Sequence, residues 1–140
     1  MKFTLNSNLT MGLVSCFLCA CTGNNTATNS NAQEKPAFKI ITAEAAHEMM
    51  QKPDKYVLLD VRTPEEFQEK HIPGAINIPN QEIGQRAKTE LTDKNAVLLV
   101  YCKAGGRAAS ASKTLAEMGY LNVFNFGGIQ DWPYETVIGK

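Results

Sequence analysis

The sequence predicts an α/β domain with a mainly parallel central sheet that helices flank on both faces. Strand-like and helix-like segments alternate from about Pro36 onward, which is the order that a parallel sheet requires. Two strand candidates, residues 56–61 and 96–101, are almost continuously apolar, as strands buried on both faces are. Ligands of such sheets gather at the carboxyl ends of the strands. The residues that follow these two strands are therefore the first candidates for chemistry.

The first helix of the domain follows a short strand candidate over residues 38–41. Thr42 belongs to the residue types that cap helix amino ends. Four apolar side chains then recur at the spacing of one helix face: Ala45, Ala46, Met49 and Met50. The sequence thus predicts a helix that begins at Thr42 and ends before the turn at Pro53.

A second, short helix follows the strand over residues 56–61. Thr63 and Glu66 have the spacing of a capping box, and Pro64 falls at the first helical position. Both features are typical of a helix start, so the helix is expected to begin here. Residues 75–78 form the next strand candidate.

The rest of the domain continues the alternation. Residues 81–91 form a polar surface helix whose inward stripe is Ile83, Ala87 and Leu91. Gly119 is the expected left-handed cap at the end of a longer helix. The other predicted elements are a strand over 96–101, a helix over 107–118, a strand over 122–126 and a short terminal helix within 127–132.

The amino-terminal end differs in kind from the rest of the chain. A basic start is followed by a largely apolar segment, and small residues then precede an abruptly polar tract. Leu18-Cys19-Ala20-Cys21 resembles the lipobox of a bacterial lipoprotein signal, which is cleaved before a lipidated cysteine. We therefore expect a signal peptide over residues 1–20, lipidation at Cys21, a flexible tether over 21–35 and a globular domain over 36–140.

This resemblance implies export to the periplasmic side of a bacterial envelope, with the lipid holding the domain at a membrane. Leu13-Val14-Ser15-Cys16 fits the same pattern, so Cys16 stays an alternative lipidation site. An ordinary signal peptide is a further alternative. The sequence does not distinguish the inner from the outer membrane.

Charge and apolar patterning limit the partners. The 140 residues carry a formal net charge of zero, which argues against nucleic acid as the main partner. Beyond the amino-terminal end, no run approaches the roughly 18 apolar residues that a membrane-spanning helix needs. The expected contact with a membrane is therefore the lipid anchor alone.

The use of cysteine is informative. Of the four cysteines, Cys16 and Cys19 would leave with the signal peptide and Cys21 would carry the lipid. Cys102 is then the only expected free thiol, and an unpaired thiol in an exported protein calls for a chemical explanation. A metal site built from the three amino-terminal cysteines is disfavoured, because no second pair of ligands follows downstream. We expect neither a metal nor a cofactor.

Cys102 stands where the strand over residues 96–101 ends, and it opens a loop that leads into a helix. The other loop residues are Lys103, Ala104, Gly105, Gly106 and Arg107. A thiol at this junction faces unpaired backbone N–H groups and the positive end of the helix dipole, and both favour the thiolate. The two glycines allow successive N–H groups to curl toward the sulfur, which would also hold a persulfide. Arg107 is expected to anchor the loop or a bound anion, and Lys103 to attract an anionic donor or stay solvated.

Three signatures resemble those of the single-domain rhodaneses, a family of sulfurtransferases. Residues 59–67 together with 71–79 resemble the first signature of the family, 102–107 its active-site loop Cys-x-x-Gly-x-Arg, and 127–132 its closing signature. The signatures occur in the family's order and cover nearly the whole expected domain. Lys70 departs from the pattern, which often has glycine before the histidine, and this bears on a turn rather than on catalysis.

The resemblance implies a rhodanese-like fold and a two-step exchange of sulfur. The thiolate of Cys102 takes the sulfane sulfur of a donor such as thiosulfate, which gives a cysteine persulfide. Cyanide or a thiol then removes that sulfur, and a protein is a further candidate acceptor. A preformed thiolate makes a dedicated general base unnecessary.

Other polar and aromatic residues receive supporting roles. Asp60 and Arg62 are expected to form an ion pair that fixes the loop, with shaping of the pocket as the alternative. His47 is expected at the surface, and His71 is expected to shape a turn rather than to act as a base. Trp132 is expected to close the core, with lining of the pocket as its alternative role.

Two rival functions stay open. Cysteine phosphatases and arsenate reductases also use a loop from cysteine to arginine, but with five intervening residues where this chain has four. The shorter ring suits a single sulfur better than a tetrahedral oxyanion, and the mature chain would lack the resolving thiol that the reductases need. A non-catalytic sulfur carrier or docking module is the second rival, and the sequence does not separate it from an enzyme.

Overall fold

A single five-stranded sheet organises the domain. The structure is a computed structural model, and it describes residues 37–139. The strands are β1 (Lys39–Ile40), β2 (Tyr56–Asp60), β3 (Ile76–Asn77), β4 (Val97–Cys102) and β5 (Asn122–Gly128). They lie in the order β1-β5-β4-β2-β3, and all four neighbouring pairs are parallel. The three longest strands thus occupy the centre, and all strands end at one edge of the sheet.

The helices connect the strands and cover both faces. They are α1 (Ala43–Met50), α2 (Pro64–Glu69), α3 (Ile83–Glu90), α4 (Gly106–Glu117) and a 3₁₀ turn over Ile129–Asp131. The predicted α/β class with a parallel sheet is confirmed. The capping box at the start of α2 is also confirmed, since the Thr63 and Glu66 side chains each pair with the other residue's backbone N–H.

Two hydrophobic clusters, one on each face of the sheet, form the core. The first packs α3 and α4 against alternate residues of the central strands, among them Leu59, Val100 and Cys102. The second packs α1 and the 3₁₀ turn against the strand residues that point to the opposite face, among them Leu58 and Tyr101. Because strand side chains alternate between the faces, the apolar runs of β2 and β4 supply both clusters.

The observed elements differ from the predicted ones mainly at their ends. Helix α3 begins at Ile83 instead of residue 81, because the preceding residues form a turn that the hydrogen bond from the Glu82 N–H to the Pro79 carbonyl closes at 2.8 Å. Helix α4 begins at Gly106, one residue earlier than predicted, because Gly105 has a left-handed conformation (φ 101°) and forms the amino-terminal cap. Gly119 has the predicted positive φ of 89°.

The expected signal peptide, the tether and the lipidation candidates Cys16 and Cys21 lie outside the described residues. Within residues 37–139, no helix is long and apolar enough to cross a membrane.

Candidate active site

The candidate nucleophile occupies the carboxyl end of the central strand β4. Cys102 is the last residue of this strand and is 1% exposed. Its sulfur accepts a hydrogen bond from the backbone N–H of Gly105, with 3.0 Å between nitrogen and sulfur. Within the described part of the chain, Cys102 is the free cysteine. The hydrogen bond therefore directs one backbone donor of the loop at the sulfur.

The loop after Cys102 delivers one N–H group to the sulfur, not the run of N–H groups that the sequence led us to expect. Gly105 is the loop residue with a positive φ, a conformation that side chains with a Cβ rarely adopt. Gly106 is the first residue of α4, and a Cβ there would meet no atom within 4 Å. A side chain at position 106 would therefore meet no steric obstacle. Besides the Gly105 N–H, the amino end of the 12-residue helix α4 adds positive potential near the sulfur.

Gly128 allows the close approach of the loop to β5. No role was predicted for this residue from the sequence. It lies opposite Cys102 in the strand register. A Cβ on Gly128 would clash with the backbone carbonyl of Lys103 and would lie 2.7 Å from the Cα of Ala104. The carbonyl of Lys103 also accepts a hydrogen bond from the N–H of Gln130 at 3.3 Å. The glycine pair in the closing signature was the available signal for this contact.

Arg107 anchors the loop to helix α2. Its Nη1 lies 2.6 Å from Glu66 Oε2, and its Nη2 lies 2.9 Å from Glu66 Oε1. The two hydrogen bonds from Arg107 are the main cause that lowers the pKa of Glu66 from 4.5 to about 2, against the opposing effect of burial. The same bonds raise the pKa of Arg107. Of the two roles predicted for Arg107, the structure shows the structural anchor.

The Arg107–Glu66 pair makes stability depend on pH in a defined direction. Because the pKa of Glu66 is lower in the folded protein than its ordinary 4.5, the contribution is fully present above pH 4.5 and is lost as pH falls toward 2. We expect Glu66→Gln to lower the free energy of unfolding by about 1–2 kcal/mol near neutral pH. Urea unfolding of both proteins should show this gap shrinking on acidification. A gap that is the same at low and neutral pH would contradict the assignment.

Asp60 and Arg62 form a buried ion pair at the end of β2. The two side chains are 0% and 5% exposed. Arg62 donates to Asp60 through Nε and Nη2, and its Nη2 also donates to the backbone carbonyl of Lys70 at 2.6 Å. Burial opposes the charge on Arg62, but the bonds to Asp60 outweigh it and raise the pKa of the guanidinium. The predicted ion pair is present, but its hydrogen bonds tie β2 to the turn at the end of α2 instead of fixing the loop over residues 102–107.

Neither histidine forms a hydrogen bond with the Cys102 sulfur. The Nδ1–H of His71 donates to the carbonyl of Phe67 at 2.8 Å, and the backbone of His71 pairs with Val137. This geometry makes His71 part of the turn after α2. His47 is half-buried instead of lying on the open surface as predicted, because its ring stacks on Tyr134 with 3.7 Å between centroids. Trp132 is 8% exposed and belongs to the second hydrophobic cluster, so it closes the core.

Together with the fold, these contacts define a class of protein: a parallel α/β domain in which the free cysteine of the described residues ends a central strand just before a helix. Residues 42–134 match the model of the rhodanese-like domain family. The chain belongs to this family.

The relatives specify the class of reaction. The chain is 48% identical over 81 residues to the thiosulfate sulfurtransferase PspE of Escherichia coli, and the match covers 58% of this chain and 78% of that protein. It is 38% identical over 109 residues to the thiosulfate sulfurtransferase GlpE of Actinobacillus succinogenes, covering 74% and 96%. A solved structure of a rhodanese with anions from E. coli superposes with a TM-score of 0.57 at 44% identity, covering 60% of this chain and 99% of that one. The chain is a sulfurtransferase-like enzyme of this family.

Proposed function

We propose that the protein transfers sulfane sulfur from a donor such as thiosulfate to a thiophilic acceptor, cyanide or a thiol, through a persulfide on Cys102. The observation that carries this proposal is the hydrogen bond of 3.0 Å from the Gly105 N–H to the Cys102 sulfur at the amino end of α4. The backbone donor and the helix end are both placed to interact with the negative charge that a sulfur nucleophile or a persulfide carries.

In the first half-reaction, the Cys102 thiolate attacks the outer sulfur of thiosulfate. A bond forms between Sγ and that sulfur, and the sulfur–sulfur bond of thiosulfate breaks. The bonding electron pair leaves with sulfite, so the step needs no external oxidant or reductant. The exposed loop residue Lys103 adds positive charge that attracts the dianionic donor from solution.

In the second half-reaction, the acceptor attacks the outer sulfur of the persulfide. The new bond joins the acceptor to this sulfur, and the Sγ–sulfur bond breaks with its electron pair returning to Cys102. No second cysteine lies within residues 37–139 to resolve the persulfide. We propose that the sulfur leaves with an external acceptor, which is a small molecule or a protein.

Steady-state kinetics test the proposal and separate it from the carrier function. Thiocyanate production should be measured while thiosulfate and cyanide are varied together. We expect sustained turnover and parallel double-reciprocal lines, because sulfite leaves before the acceptor binds. Thiocyanate that stops at one equivalent per protein would favour a non-catalytic carrier. Hydrolysis of aryl phosphates without thiocyanate production would favour a phosphatase.

We also propose that the protein is exported and lipidated at Cys21, on the strength of the lipobox pattern Leu18-Cys19-Ala20-Cys21. Expression in a bacterial host with labelled palmitate provides the test. Cys21→Ala should abolish incorporation of the label and release the protein from the membrane fraction, whereas the matched variant Cys16→Ala should keep both. The opposite pattern would place the lipid at Cys16, and no label in any of the proteins would remove the anchor.

A further inference from the structure

A pocket beside the active-site loop has no role in the exchange described so far. Its volume is about 240 Å³, and its wall includes Arg62, Glu69, Lys70, Lys103 and Gln130. Arg62 follows β2, Lys103 follows β4 and Gln130 follows β5, so the pocket lies at the carboxyl edge of the sheet. This is the edge at which Cys102 ends β4.

Arg62 presents an unused hydrogen-bond donor at this pocket. Its Nε and Nη2 bond to Asp60 and to the Lys70 carbonyl, whereas Nη1 has no hydrogen-bond partner among the described residues. The side chain as a whole is 5% exposed. Within the described residues, Ser112 Oγ is the one fully buried side-chain polar atom without a partner, so the unpaired Nη1 keeps some contact with solvent. A buried guanidinium with one free nitrogen at a pocket wall is suited to bind an oxyanion.

The other charges around the pocket favour one negative charge on the ligand. Lys70 and Lys103 are exposed at its wall and form no ion pair within residues 37–139. Glu69 is the wall carboxylate without an ion-pair partner in the same residues, since Glu66 is held by Arg107. Two unpaired lysines and one unpaired glutamate leave the wall with a small excess of positive charge. A ligand with one negative charge balances this excess better than a dianion does.

The position of the pocket distinguishes the acceptor from the donor. Lys103 lines the pocket, but neither Cys102 nor Gly105 does, so the pocket is next to the sulfur site and separate from it. In thiosulfate, the charged group is one bond away from the sulfur that is attacked, and it must stay beside Cys102. A carboxylate several bonds away from a thiol sulfur can lie in the pocket while the sulfur reaches the persulfide.

We propose that this pocket is the acceptor subsite and that the acceptor is a thiol bearing a carboxylate several bonds from its sulfur, which Arg62 Nη1 binds. This inference rests on the proposed persulfide chemistry. The bound thiol loses its proton to solvent, and its sulfur attacks the outer sulfur of the Cys102 persulfide. The new sulfur–sulfur bond gives the acceptor persulfide, and the electron pair of the broken bond returns to Cys102.

The test compares two thiols of equal length on the full chain loaded with thiosulfate. Mercaptohexanoate carries a terminal carboxylate and mercaptohexanol a hydroxyl, and the long chain keeps the two thiol groups equally nucleophilic. We expect kcat/KM to be about tenfold higher for the carboxylate, as for a hydrogen bond to a charged group. Arg62→Lys keeps the charge beside Asp60 but loses the planar fork, and it should remove most of this preference through KM. Arg86→Lys, on the outer face of α3, is the matched control and should keep it.

A second variant keeps the inference testable if Arg62→Lys does not fold. Lys70→Ala removes a wall charge without touching the buried pair, and it should lower the preference about two- to threefold. Equal kcat/KM values for the two thiols in the parent protein, or an unchanged preference in both variants, would overturn the subsite. Loading by thiosulfate is measured separately by mass, so a protein that forms no persulfide refutes the proposed function, and one that forms it without a preference refutes only the subsite.

Discussion

Replacing Cys102 with serine should lower sulfur transfer by at least about a thousandfold. Serine nearly matches cysteine in size and can still accept the Gly105 N–H, so the fold should persist. Its hydroxyl, however, does not ionise near neutral pH and cannot attack a sulfane sulfur as a thiolate does. Thiocyanate production and the thermal unfolding midpoint of the purified variant measure the two consequences separately.

A displaced thiol provides the matched control for this variant. Ser110 is an exposed residue of α4, and Ser110→Cys adds a thiol that no loop surrounds. In the Cys102→Ser background it should restore no activity, because sulfur transfer requires a thiol at the end of β4 and not merely a thiol elsewhere on the protein. Substantial transfer by Cys102→Ser, with or without the second change, would contradict the role of Cys102.

Replacing Gly128 with alanine should displace the active-site loop. The new Cβ would meet the backbone of Lys103 and Ala104, which cannot move aside as the end of a side chain can. Overpacking of this kind costs about 1–3 kcal/mol of the free energy of unfolding. We also expect a large loss of kcat/KM, because the shift moves the loop that holds the Cys102 sulfur. Urea unfolding and the thiocyanate assay provide the measurements.

Gly84→Ala is the matched control for the effect of adding a Cβ. Gly84 lies in α3, and a Cβ there would meet no atom within 4 Å. Alanine favours helix over glycine, so this variant should gain about 0.5–1 kcal/mol of stability. If Gly128→Ala behaved like Gly84→Ala, the close approach of β5 and the loop would not be required.

The sequence was most informative where the signal is local. The apolar runs of β2 and β4, the capping box at Thr63 and the cap at Gly119 each depend on neighbouring residues. The position of Cys102 at a strand end also followed from adjacent residues. Such features can be predicted because periodicity and capping chemistry are written within a few positions of the chain.

The missing parts of the site depend on contacts between distant segments. Arg107 and Glu66 are 41 positions apart, so their pairing follows only from the way α2 and α4 pack at the sheet edge. The clash that excludes a Cβ at Gly128 involves a backbone 25 positions earlier, and the free nitrogen of Arg62 is defined by which partners its other nitrogens find. Side-chain geometry of this kind has no periodic signal in the sequence.

Intact mass spectrometry of the purified protein is the most direct test of the persulfide on Cys102. We predict that thiosulfate adds the mass of one sulfur atom, that peptide mapping places it on Cys102, and that cyanide removes it with one equivalent of thiocyanate. The mechanism would be contradicted if thiosulfate alone left Cys102 unmodified in a protein that produces thiocyanate once cyanide is added.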